Sequence, residues 1–195
     1  MSPVMSTTSN AVGVGRRCLR AGRHQHPGDG MCLMEYVSIL AGDEFTDAPR
    51  CTDPLLAELA RMVNDSIGGD VRPELASLAT GLVQLPRNPR AAPAIVGAAL
   101  DAALNLRPGR KDLRRHRRRS LRHAASQVPH PTLPDRLRCT FYRHGPARHA
   151  LACAVYVVSA HSDSESARDT ALVAMLEQAM AAARGSVRAR SLAGV

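Results

Sequence analysis

Between residues 92 and 104 the chain reads Ala-Pro-Ala-Ile-Val-Gly-Ala-Ala-Leu-Asp-Ala-Ala-Leu. Its apolar side chains Ala92, Ile95, Val96, Ala99, Leu100, Ala103 and Leu104 keep helical spacing without a miss. A repeat at i, i+3, i+4 and i+7 places one apolar face along a helix and is incompatible with a half-buried strand, whose period is two. The same period returns along the rest of the chain, interrupted by Gly and Pro. Residues 31–41 carry Leu33, Tyr36, Val37 and Leu40 on one stripe, and Cys32, Met34 and Ile39 make the other sides apolar as well. That segment reads as a central helix ended by Gly42.

Asp53-Pro54 opens a second helix as N-cap acid and first-turn proline, with Leu55, Leu59, Met62 and Val63 on its face. A third starts between Asp70 and Glu74 and buries Leu75, Leu78, Leu82 and Val83. Residues 92–104 make the fourth. Further on, Leu151, Ala154, Val155 and Val158 mark one helix, and Leu172, Val173, Leu176, Ala179 and Met180 mark the last.

Only 3% of residues are aromatic, none is Trp, and 45% are hydrophobic, so the core has to be Leu, Val, Ala, Ile and Met. Ala and Leu lead the helix scale, whereas sheets lean on aromatic and β-branched side chains. The fold expected is all-α: a single-domain helical bundle of six or seven helices in a chain of 195 residues. Residues 1–29, rich in Ser, Thr, Gly and Arg and without periodicity, are expected to be a disordered tail before a domain over 30–184. Residues 185–195 are expected to fray.

Charge is distributed unevenly. The net formal charge is +9, and of 26 basic residues only Lys111 is lysine. Arg107, Arg110, Lys111, Arg114, Arg115, Arg117, Arg118, Arg119 and Arg122 lie within 16 residues that hold one acid, Asp112. The segment 107–126 reads as an Arg-rich helix, with Leu113, Leu121, Ala124 and Val128 as its buried seam. A Pro-rich connector follows over 127–136, and Leu137 to Tyr142 reads as a short strand or a turn. Guanidinium groups grip phosphate in a bidentate way and stay charged at any relevant pH. The nine cations are therefore the candidate nucleic-acid-binding residues. No aromatics are interleaved for stacking and no helix-turn-helix or zinc finger is recognisable, so binding is expected to ignore sequence. Two further readings stand beside this one. The basic face can dock on an acidic protein partner, or the arginines can be a solvated face inflated by GC-rich coding.

The run CLMEYVSILAG…EFTDAPRCTDPLLAELARMVND, residues 32–65, resembles a family of small helical proteins from actinobacteria and their phages. That family's pattern runs CLMExxSxLAG…DxPxCxxPxLxxLxRxxND. Here Ala48 stands at a histidine of the pattern, and Asp43-Glu44 replaces Glu-Pro. The resemblance implies a helical fold and carries no assigned activity.

Glu35 sits among apolar neighbours, and a buried carboxylate must be paired. Arg61 on the next helix is the expected partner in a structural ion pair. An enzyme reading would set Glu35 with Asp65 as a second acid. Cys32 and Cys51, with His24, His26 or His161, are the ligand types of a zinc site, but their spacing matches no zinc motif. Ser38 lies mid-helix rather than on a nucleophile elbow, and His149 and His161 lack evident partners. Gly13-Val14-Gly15-Arg16 lacks the Lys-Ser/Thr that a phosphate loop needs. No catalytic residue, metal or cofactor is assigned. Five cysteines without a CxxC, no secretory signal and no apolar run of about 20 residues point to a cytoplasmic protein with no membrane span.

Overall fold

The computed structural model describes residues 19–85, 87–128 and 131–193, with side chains as far as 186. It is an all-α bundle. The helices are α1 (Leu33–Ala41), α2 (Pro54–Ser66), α3 (Ala76–Gln84), α4 (Ala92–Leu106), α5 (Lys111–Ala125), α6 (Leu133–Tyr142), α7 (Arg148–His161) and α8 (Glu165–Ala193). A π-helical turn, Arg143–Ala147, joins α6 to α7 without a break, so the described chain forms seven continuous helical bodies. That turn holds Pro146 inside the helix. Proline has no N–H and clashes with the preceding turn, and a widened turn is the usual accommodation. Among the described residues there is no strand, only an isolated parallel bridge between Leu19 and Met31.

The centre of the bundle is α4, which packs against α5, α7 and α8. Its buried face is mostly small: Ala92, Gly97, Ala99 and Ala103 alternate with Ile95, Val96 and Leu100. Short side chains let three neighbours approach at once. Helix α1, which the sequence marks as central, is instead peripheral to α4 and rests on α3 and α2. Its all-round apolar character has another cause. The segment preceding it folds back and covers the side that would otherwise face water.

Residues 19–29, placed by the sequence in an unstructured tail, are fastened to the domain. Leu19 is buried, Arg20 N–H donates to Met31 O at 2.8 Å, and Gly22 N–H donates to Asp65 Oδ1 at 2.7 Å. Asn64 Nδ2 donates to Arg20 O at 2.8 Å while its Oδ1 accepts from Leu33 N–H at 3.1 Å. Gly30, at φ +107°, turns the strap into α1, in a backbone region that side chains other than glycine seldom occupy. The remaining tail, 1–18, lies outside the described residues.

Local signals account for the other ends. Asp53 caps α2 through Leu55 N–H at 2.9 Å and is itself buried against Arg143, 3.0 Å away in the π-helical turn. Asp169 on α8 accepts from Gly68 N–H at 3.2 Å, and a Cβ at Gly68 would lie 2.7 Å from that carboxylate oxygen. This contact closes α8 over the α2–α3 turn. One expectation about an element's ends is corrected. Leu137 to Tyr142 is helical, because the Thr132–Asp135 capping box starts α6 at Leu133 and cuts the connector short. Helix α8 is helical to Ala193.

Candidate polyanion-binding face

Helix α5 is held to the bundle by a narrow inner edge. Leu113 is fully buried, and Ser120 Oγ donates to Pro93 O on α4 at 2.8 Å. Between them Arg117 makes a bidentate pair with Asp101 of α4, Nε to Oδ1 at 2.6 Å and Nη2 to Oδ2 at 2.8 Å. Gly97 gives this guanidinium room: a Cβ there would lie 3.4 Å from Arg117 Nη1. Leu121 and Val128, expected in the seam, are exposed. The seam is set by Leu113, Arg117 and Ser120, and polar groups do what apolar ones were expected to do. One turn on, His123 stacks on Tyr142 with ring centroids 4.1 Å apart.

The nine predicted cations fall into two sets. Arg110 forks onto Asp112 at 2.9 and 2.6 Å, and Arg117 onto Asp101. Hydrogen bonding by Arg110 holds the Asp112 carboxyl far below the ordinary carboxylate range. Arg107, Lys111, Arg114, Arg115, Arg118, Arg119 and Arg122 are exposed, and none has an acidic partner among the described residues. Positions 111, 114, 115, 118, 119 and 122 are related by three and four residues and line one side of the helix. At 1.5 Å per residue that stripe is about 16 Å long, the length of roughly five base-pair steps.

Such a stripe is unfavourable for the isolated protein. Like charges three or four apart on a helix repel by about 0.2–0.5 kcal/mol each, and seven such pairs lie on α5, on the order of 1.5–3.5 kcal/mol in all. The inner-edge contacts hold the helix against that repulsion. Phosphates laid along the stripe would remove it.

The other predicted residues are accounted for differently. Glu35 is fully buried, but its partner is His24, not Arg61. Its carboxylate accepts from His24 N–H at 2.6 Å, His24 Nδ1 at 2.9 Å and Cys32 N–H at 2.7 Å. Arg61 bridges Glu58 and the Asp47 carbonyl instead. Sequence reasoning discarded His24 with the tail and left Arg61 as the visible candidate. Asp65 accepts from Gly22 N–H and so fastens the strap. Cys32 caps α1 with its Sγ, accepting from Glu35 N–H at 3.4 Å, and burial pushes its thiol pKa up to about 12. Cys51 is a free thiol next to Thr52. His149, read as partnerless, faces His116 at a ring-centroid distance of 5.2 Å and Cys153 at 3.6 Å. The spacing His149-x₃-Cys153, one helical turn, was the overlooked signal.

A cleft of about 450 Å³ opens where the C-terminal end of α5 meets α6, lined among others by His123, Arg136, Arg138, Arg143 and His144. Arg138 and Arg143 are already engaged there by Asp135 and Asp53. No helix among the described residues is long and apolar enough to cross a membrane. Comparison with family models, with curated proteins and with solved structures found no match to the chain.

Proposed function

We propose that this protein binds nucleic acid, or another polyanion of similar charge density, through the outer face of α5, with little regard for sequence. One observation carries the reading. Of nine clustered cations, Arg110 and Arg117 are paired with acids, and the other seven stand exposed with no acidic partner among the described residues. A helix held rigid from behind presents guanidinium groups at fixed spacing, which favours repeated phosphates over a lone anion. The stripe offers no Asn or Gln to read adenine between its arginines, so any base-edge contact would be limited to arginine on guanine.

Anisotropy of a labelled duplex DNA titrated with protein at 50 and 200 mM salt is the test. If five to seven phosphates are neutralised, affinity falls by about 10³–10⁴ between those conditions. No binding at the lower salt, or binding indifferent to salt, refutes the reading.

A second reading, a protein–protein interaction module whose basic face docks on an acidic partner, has a further, apolar surface to draw on. On α6, Leu133, Leu137 and Phe141 are exposed by 70%, 62% and 69% and fall on one stripe at i, i+4 and i+8. Light scattering after size exclusion separates the two readings. An assembly that survives high salt favours the protein partner, and a monomer whose complexes dissolve in salt favours the polyanion.

A further inference from the structure

We infer that His116, His149 and Cys153 form a binding site for a zinc-type metal ion that clasps α5 to α7. The inference is independent of the polyanion reading, since the site lies on the edge of α5 that faces the bundle. Ligand atoms of all three side chains lie within 4.8 Å of one another, and they are the one such His/Cys/Asp/Glu group among the described residues. His149 and Cys153, four residues apart on α7, stand on the same side of that helix, and His116 meets them from α5.

The spacing suits the ion. With Zn–N about 2.05 Å and Zn–S about 2.3 Å, tetrahedral angles put ligand nitrogen and sulfur about 3.6 Å apart. Cys153 Sγ and His149 Nε2 are 3.6 Å apart. The N₂S donor set suits Zn²⁺ and Cu⁺ and suits Mg²⁺ or Ca²⁺ poorly. His116 and Cys153 are half-buried and His149 is exposed, so an entry path exists and water can take the fourth position. On binding, the Cys153 thiol gives its proton to solvent and the two imidazoles bind neutral, with no redox change. The Arg110–Asp112 pair beside Cys153 adds little net field, because its two charges offset each other.

The full-length untagged chain, stripped of metal, is titrated with Zn²⁺ against a chromophoric chelator, and in parallel with Co²⁺. The expected result is one equivalent of zinc. The cobalt form should show the near-ultraviolet thiolate charge-transfer band and the strong visible bands of a tetrahedral site. Cys153→Ser should abolish the charge-transfer band, and His149→Gln should weaken zinc binding at least about tenfold. Cys51→Ser should leave both unchanged. His149 is exposed, so its variant tests the site even if Cys153→Ser folds poorly. Zinc should also raise the melting temperature of the wild type and not that of His149→Gln. Failure of the wild type to take up one equivalent overturns the assignment. So does a charge-transfer band that survives Cys153→Ser, or uptake unchanged in His149→Gln.

Discussion

Replacing Glu35 by Gln keeps the shape of the side chain and removes its charge. The buried carboxylate accepts three hydrogen bonds, two of them from the backbone N–H groups of His24 and Cys32. A glutamine can offer one carbonyl oxygen, and its NH₂ then meets a donor. Hydrogen bonds to a charged group contribute about 1.5–3 kcal/mol each, and a buried donor left unmade costs about 1–3 kcal/mol. The strap can peel away and let water satisfy His24, which caps the loss. The net expectation is about 2–4 kcal/mol from Glu35→Gln in urea unfolding followed by circular dichroism, with faster tryptic cleavage at Arg20 and Arg23. A double-mutant cycle then identifies the partner. Glu35→Gln and His24→Ala should be non-additive by at least about 1 kcal/mol, and Glu35→Gln with Arg61→Ala should be additive within about 0.5 kcal/mol. A Glu35→Gln loss under about 0.5 kcal/mol, or coupling to Arg61 instead of His24, refutes the strap-and-carboxylate account.

Asp101→Asn releases Arg117 from its internal pair. Because both groups are partly exposed, the stability cost should stay under about 1 kcal/mol. Arg117 stays on the inner edge of α5 after release, so the salt slope of DNA binding should steepen by clearly less than the roughly 0.9 of a full phosphate contact; a full extra contact would contradict binding by the outer stripe alone. Burial lowers the pKa of His123, with Arg138 and Arg119 adding to the effect. That contribution to stability is present above pH about 6.5 and is lost as pH falls below it. Melting temperature should therefore drop between pH 7.5 and 5.5, and His123→Phe, which keeps the stack on Tyr142, should flatten the drop. Burial works to raise the Glu58 pKa, but hydrogen bonds from Arg148 and Arg61 outweigh it and hold it low. Its share should fade only below pH about 4.5. Burial keeps Cys32 a thiol at pH 8, so a thiol reagent should label Cys51 and leave Cys32 intact until the chain unfolds.

The helices were legible because their apolar period is carried by local residues, and Asp53-Pro54 and Gly42 mark their ends where the structure has them. The central position of α4 was less legible than its helicity. A face of Ala and Gly looks weaker than the apolar α1, yet small side chains are what allow three neighbours to close in. The strap was illegible because its order comes from Glu35, Asn64 and Asp65, which are distant in sequence, and not from any period of its own. The Arg-rich helix was visible as a run of charge. Which cations remain free depended on Asp101, 16 residues away from Arg117, and no spacing rule could supply that. The His116 contact with α7 is likewise a product of packing, although the i, i+4 pair of His149 and Cys153 was present in the sequence.

The dependence of DNA affinity on salt, measured for the wild type and for Arg114→Gln/Arg118→Gln/Arg122→Gln, tests the α5 face most directly. The wild-type slope of log K against log salt should lie near −4.5 to −6, and the triple variant should be shallower by about 2.7. Equal slopes for the two proteins would place the phosphate contacts elsewhere and contradict the account.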